Sequence, residues 1–165
     1  MNSVLISIQP KWCEIIASGK KTIEVRKTRP KMATPFKVYI YCTKDKNHSF
    51  CTDDGEQYTH IGNGKVIGEF VCDKIHTIRY RCGGYDCEGL TRLETDRVAN
   101  ASQLSLYDMR NYLSCNGGYG WHISDLVIYE KPKGLGEFKH CGVNYHYNPP
   151  ITRPPQSWCY AMKGE

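Results

Sequence analysis

Short apolar runs separated by polar turns organise this chain, and their period changes from one run to the next. Val4 to Ile8 are apolar except for Ser7, and mostly branched, which predicts a buried strand. Pro10 follows, favoured as a first helical residue because it lacks the N–H that a helix start leaves unpaired. Trp12, Ile15 and Ile16 then recur at helical spacing, and Gly19 is a natural stop. The spacing predicts a helix over 10–18. From residue 22 the period drops to two: Ile23 and Val25 alternate with Thr22, Glu24 and Arg26. Residues two apart on a strand share a face, so the first pair turns to the core and the other three face together the opposite way.

Further along, Arg29 to Pro35 reads as a loop and 37–43 as a strand. Residues 44–63 form a polar, mobile excursion with turn signals at Asp53-Asp54-Gly55 and Gly62-Asn63-Gly64. Residues 65–80 give one long strand, or two joined at a bend. Gly83-Gly84 marks a turn, and Leu90 and Leu93 suggest a weak helix. A better helix runs from Ser102, as its cap, to Ser114, with Leu104, Tyr107 and Leu113 near one stripe; Gly117-Gly118 ends it. A strand over 120–132, a helical turn within 134–140, a proline-stiffened loop over 141–155 and a last strand over 156–162 complete the chain. About six mixed strands with two or more short helices predict an α+β fold, a compact β-barrel decorated by helices. No linker or repeat divides residues 1–165, so the expectation is one domain.

The 165 residues suffice for a real core. No apolar run approaches the ~20 residues a bilayer span needs, and residues 3–8 are too short for the apolar part of a signal peptide. The expected location is the cytoplasm, with no membrane partner. Nine cysteines resemble a disulfide framework at first, but the number is odd and Cys42, Cys72 and Cys159 fall inside strands. Reduced, mostly buried thiols are the better reading. Charge is uneven. Residues 1–46 hold ten Lys/Arg against Glu14, Glu24 and Asp45, a balance of +7, while the remainder balances at −2. A basic N-terminal third suits phosphate-bearing partners, or is simply a solvated lysine face.

Candidate chemistry concentrates where the first helix exits. Lys21 sits in the corner, and Glu24 and Arg26 project from one strand face, so a cation, a carboxylate and a guanidinium surround one place. A carboxylate beside two cations stays ionised and can accept hydrogen bonds from an amide or exocyclic amine. The same residues also read as an edge with routine surface ion pairs, worth ~0–1 kcal/mol each.

Ser7, Ile8, Gln9, Pro10 and Trp12, followed by Gly19, Lys21, Glu24 and Arg26, closely resemble the signature of the ASCH family, within the PUA-like superfamily. The closing "PPQSWCY" resembles the last strand of small ASCH proteins, often borne by phages or prophages. The resemblance implies a PUA-like β-barrel with a cleft walled by the motif, and RNA or a nucleoside-like ligand as partner. Aromatic residues suit that partner, since unstacked bases bind by stacking. The implied ligand-binding set is Gln9, Lys21, Glu24 and Arg26. Gln156 and Ser157 join it if the last strand closes beside the first. One branch of the family hydrolyses the acetyl amide of N4-acetylcytidine. Its motif lysine falls at Lys21, but its threonine falls at Glu24, and Glu88 and Glu94 are candidates for its acidic partner. Another branch is described as cleaving single-stranded RNA. The alternative reading is therefore a hydrolase with Lys21 and Glu24 as catalytic residues, and a further one is a phage accessory protein binding a host protein. The resemblance supports a binding cleft better than a reaction.

Other clusters are weaker. Cys82 and Cys87, with His76 upstream, lack the second matched pair that zinc prefers, so no metal and no cofactor are expected. His122 reads as a structural strand residue, and His140 and His146 as loop packing. Gly62-Asn63-Gly64-Lys65 lacks the spacing of a phosphate loop and reads as a hairpin turn.

Overall fold

In the computed structural model, which describes residues 3–55, 59–141 and 147–164, the first predicted strand lies deep inside the fold. This strand, β1 (Ser3–Ile8), is buried along its whole length and leads through α1 (Pro10–Ala17) into β2 (Ile23–Arg26). The helix carries Pro10 at its start and buries Ile16, as the apolar spacing predicts, together with Cys13, while Trp12 and Ile15 of the expected stripe are only half-buried. Strand β3 (Phe36–Cys42) returns parallel to β1, pairing Ser3 with Lys37 through Ile8 with Cys42.

The chain continues with β4 (Cys51–Asp53), β5 (Thr59–Ile61), β6 (Lys65–Cys72), β7 (Ile75–Arg81), β8 (Gly84–Cys87), α2 (Arg92–Ser102), α3 (Leu106–Leu113), β9 (Gly118–His122), β10 (Ser124–Lys133), β11 (Phe138–His140) and β12 (Trp158–Lys163). A six-stranded sheet has the order β10-β6-β3-β1-β12-β11, a four-stranded sheet the order β2-β9-β7-β8, and β4-β5 form a small ribbon. The architecture is mixed α+β, with two sheets sharing continuous stretches of chain. β6 runs into β7 at Asp73-Lys74, and β9 into β10 at Ile123, so both crossings occur at one corner. His122 latches that corner: its N–H donates to the Lys74 carbonyl, and its Nδ1 lies 2.6 Å from Asp73. It is a structural histidine, as its place in a strand suggested.

Three apolar clusters fill the layers. Val4, Ile6 and Ile8 point into the first, with Cys13, Ile16, Phe70 and Trp121, while Leu5 points to the other face against Tyr39, Phe138 and Ala161. Apolar residues on both faces of β1 explain why its sequence reads as a continuous run rather than an alternation. Ile23 and Val25 pack into the third layer with Ile78, Val98, Met109 and Leu113, beneath α2 and α3.

Several boundaries differ from the sequence reading. The polar excursion contains the β4-β5 ribbon, held by buried Phe50 and by a Thr52 hydroxyl that donates to the Glu130 carbonyl. The stretch 120–132 is two strands in different sheets. The weak helix near Leu90 is the longest in the protein's described residues, because Thr91 and Glu94 cap it reciprocally. Ser102 ends that helix rather than starting the next, and the cap of α3 is Ser105, bonded to Asp108. Tyr107 is 73% exposed; the stripe of α3 that packs inward carries Met109 and Leu113. The nine cysteines are free thiols, with Cys13, Cys42, Cys72 and Cys87 buried, two others half-buried, and Cys51, Cys82 and Cys115 exposed. His146 lies outside the described residues. Among the described residues no helix is long and apolar enough to cross a membrane.

Candidate functional site

The corner after α1 turns at Gly19, whose φ of +77° is the left-handed region that glycine adopts without strain. Beyond it the chain is tied down before it enters β2. The Lys21 N–H donates to Ile15 and the Thr22 N–H to the Ala101 carbonyl at the end of α2. β2 then pairs antiparallel with β9, Glu24 opposite Trp121 and Arg26 opposite Tyr119. Close pairing is possible because Gly118 and Gly120 bring no side chains: a Cβ on Gly118 would sit 2.6 Å from the Arg26 carbonyl.

Lys21, Glu24 and Arg26 are brought together and nearly removed from water, with 2%, 7% and 8% of their surfaces exposed. Glu24 lies between two cations. One carboxylate oxygen is 2.9 Å from the Arg26 guanidinium, the other 3.4 Å from the Lys21 ammonium. Each cation is also anchored to main chain. Lys21 donates to the Ser102 carbonyl at 2.5 Å and Arg26 to the Ser7 carbonyl at 2.7 Å. The Ser102 carbonyl belongs to the last turn of α2, where unpaired carbonyls and the helix dipole favour a cation. Burial pushes the pKa of Lys21 below its ordinary value, Arg26 pushes the same way, and Glu24 opposes both. Arg26 Nε is buried without a partner. These are not surface ion pairs but a buried triad on one side of a cavity.

That cavity has a volume of about 270 Å³. Its buried side is made by Lys21, Glu24, Val25 and Arg26; the Ser7-Ile8-Gln9 exit of β1 forms an edge. Trp12 of α1 and Leu104, Asp108 and Tyr112, on and just before α3, line the rest. Lys21 Nζ sits 5.0 Å from the centre of the Trp12 ring, Lys11 Nζ 5.1 Å from it, and Lys27 Nζ 5.3 Å from the Tyr112 ring. Asp108 is at the exposed rim, where its carboxylate accepts from Ser105, which holds its pKa below the usual range. The arrangement offers donors and an acceptor at the base and two aromatic rings along the sides. The Cys13 thiol is buried against Cys42 beneath this region, and burial pushes its pKa well up, so it is no nucleophile.

Of the six expected ligand-binding residues, Gln9, Lys21, Glu24 and Arg26 line this cavity, and Gln156 and Ser157 do not. β12 does pair beside β1, but the Ser7 hydroxyl donates to the Pro155 carbonyl and the Ser7 N–H to the Ser157 carbonyl. The proline-rich lead-in is thereby held on the far side of Ser7, where exposed Gln156 lines a separate groove. Glu88 and Glu94 lie away from the cavity, the first paired with Arg79, the second spent on the cap of α2. Sequence reasoning missed the α3 wall. Its signal was the four-residue spacing of Asp108 and Tyr112, which brings side chains to one side of a helix, with Leu104 just ahead of it. Among the described residues no group of three or more His, Cys, Asp or Glu is placed to hold a metal ion.

Solved structures of similar fold come from Zymomonas mobilis. The crystal structure of its ASCH protein matches with a TM-score of 0.55 at 18% identity, covering 96% of this chain and 86% of that one. A tyrosine-to-phenylalanine mutant of that protein gives 0.56 at 18% identity, with 97% and 90% covered. A serine-to-alanine mutant gives 0.53 at 20% identity, with 96% and 87% covered. No curated protein matches the chain in sequence. The family model of the ASCH domain matches residues 6–101, which run from the second half of β1 through the triad and along α2 to Ala101, one residue before the carbonyl that receives Lys21. With the motif, the fold and more than half the chain in agreement, this protein belongs to the ASCH domain family, a PUA-like fold.

Proposed function

We propose that the cavity binds a single unstacked nucleobase, free as a nucleoside or carried by RNA. The observation that carries this reading is the combination at one site of a fixed acceptor, fixed donors and two aromatic rings in about 270 Å³. That volume is just below the ~300 Å³ at which small-molecule sites begin, and suits one ring system rather than a folded chain. Glu24 accepts from an exocyclic amine or ring N–H. Arg26 and Lys21 donate to ring carbonyls, and Gln9 at the rim adds a neutral group able to do both. Trp12 and Tyr112 supply faces for stacking. A base pocket with buried, pre-positioned polar groups discriminates strongly, because a wrong edge leaves those groups unpaired.

The hydrolase alternative gives Lys21 and Glu24 catalytic work. The lowered pKa of Lys21 is in its favour. Against it, Lys21 already spends donors on the Ser102 carbonyl and on Glu24, and both Glu24 oxygens face cations. A group so engaged is better placed to hold a ligand than to move a proton. The host-protein alternative rests on the sequence resemblance alone.

Calorimetric titration with the common ribonucleosides and N4-acetylcytidine tests the reading. One or more of them binds the parent, and Lys21→Ala and Glu24→Ala abolish that binding. Equal affinity in parent and variants would remove the cavity as the site. Turnover of N4-acetylcytidine lost with Lys21→Ala would replace binding by catalysis.

A further inference from the structure

Directly after Arg26 the chain leaves the cavity and forms a cationic loop that the motif does not include. Lys27, Arg29 and Lys31 fall within five residues, and no acidic residue occurs between Glu24 and Asp45. Among the described residues none of the three pairs with a carboxylate. They line a groove of about 470 Å³ together with Tyr119, the residue opposite Arg26 on β9.

Three contacts hold this loop in place. The Trp158 indole donates to the Thr28 hydroxyl at 3.0 Å, the Lys31 N–H donates to the Tyr160 hydroxyl at 2.9 Å, and Pro30 is buried. An anchored loop loses little conformational freedom on binding, so its charges act at low entropic cost. The groove and the cavity are separate but adjacent, sharing no lining residue. Arg26 lines one and Lys27 the other, and the Lys27 ammonium reaches over Tyr112, which walls the cavity.

We propose that this groove is a backbone subsite for single-stranded RNA, receiving the phosphates next to the base held in the cavity. The assignment rests on the reading of the cavity as a nucleobase site and names its substrate as a strand rather than a free nucleoside. Three cations without a carboxylate partner, Arg29 held by the Met32 carbonyl, lie within one short anchored segment and match consecutive phosphates, and the half-buried Tyr119 ring offers a face for a neighbouring base. The basic N-terminal third of the chain thus has a specific location and a specific use.

The test compares a labelled, random-sequence single-stranded RNA of about eight nucleotides with free nucleosides. Fluorescence anisotropy is followed at salt concentrations from roughly 50 to 200 mM. The variant Lys27→Ser/Arg29→Ser/Lys31→Ser weakens RNA binding roughly ten-fold or more and lowers the slope of log affinity against log salt by about 2. Nucleoside affinity is unchanged in Arg29→Ser/Lys31→Ser, which keeps Lys27 over Tyr112 and still weakens RNA binding. A control, Lys46→Ser/Lys65→Ser/Lys131→Ser, removes exposed lysines elsewhere and leaves RNA affinity as it was. Equal losses in the two triple variants, an unchanged salt slope, or RNA binding no tighter than nucleoside binding each overturn the subsite. Loop-dependent RNA binding without any nucleoside affinity keeps the groove and discards the cavity reading, so the two fail separately.

Discussion

The Lys21 ammonium donates to the main-chain carbonyl of Ser102, a residue 81 positions later in the chain. This one bond joins the motif corner to the end of α2, and the neighbouring bond from the Thr22 N–H to the Ala101 carbonyl doubles it. The charged residues of the motif are therefore positioned by a helix outside the motif. That helix caps itself through Thr91 and Glu94 and ends at the carbonyls that receive Lys21.

Thr91→Ala removes the reciprocal cap of α2. Loss of such a cap costs about 1 kcal/mol. The expected result is a drop of that size in unfolding free energy by urea titration. Ligand affinity should weaken as well, since the Ser102 carbonyl loses its fixed position. Unchanged stability would mean that α2 contributes nothing to the anchor.

The contrast between β2 and α2 shows what the chain discloses. Period two in Ile23 to Arg26 states that Glu24 and Arg26 share a face, and helical spacing in α1 states where the corner falls; both are local and both hold. Burial of the triad is not local. It depends on the β1 exit, where the Ser7 carbonyl receives Arg26, and on the end of α2, where the Ser102 carbonyl receives Lys21; both are distant in sequence from a stretch that looks like a charged edge. The T-x-x-E cap at Thr91 was present in the sequence, but the low apolar content of α2 masked it. The positions of Gln156 and Ser157 turn on a hydrogen bond from Ser7 to Pro155, which no periodicity encodes.

Glu24→Gln leaves two buried cations without their counter-charge. Breaking a buried pair by removing one partner costs about 3–5 kcal/mol. The variant should unfold at markedly lower denaturant. Replacing all three groups at once, as Lys21→Met/Glu24→Leu/Arg26→Met, should recover part of that loss, because no charge then remains buried, while abolishing ligand binding. A triple variant less stable than Glu24→Gln would contradict this account.

Gly118→Ala tests how β9 places Arg26. The added methyl meets the Arg26 carbonyl and Leu113 Cδ2, each at 2.6 Å, so β2 and β9 must move apart. Overpacking of this kind costs about 1–3 kcal/mol. The measurement is a thermal melt alongside nucleoside titration: both should suffer, since displacement of β2 moves Arg26 off the Ser7 carbonyl. Parent-like affinity in a destabilised protein would show that Arg26 is not needed in its present place.

Trp12→Ala and Tyr112→Ala each remove an aromatic face from the cavity. Stacking on one ring is worth about 1–3 kcal/mol per base. Both variants should keep the fold, since both rings are only half-buried, and lose roughly ten-fold or more in nucleoside affinity. In the parent, ligand binding should also quench tryptophan emission, and that quenching should shrink in Trp12→Ala. Affinity unaffected by either change would deny the stacking role.

The protonation of Lys21 gives the last prediction. Burial lowers its pKa in the folded protein below the ordinary 10.5. Below that lowered value the group is charged in both states, and the folded state bears the cost of keeping that charge out of water. Between the lowered folded value and 10.5 the unfolded chain holds the proton and the folded protein does not, so unfolding takes up a proton and raising the pH stabilises the fold. Lys21→Met lacks this contribution. The stability of the parent relative to Lys21→Met should therefore rise with pH across the alkaline range that ends near 10.5, and level off above it. Urea titrations of both proteins at stepped alkaline pH read the difference directly, with titrations common to both cancelling. A difference that stays flat, or that falls with rising pH, would mean that Glu24 outweighs burial and that Lys21 is held as a firmly charged ion.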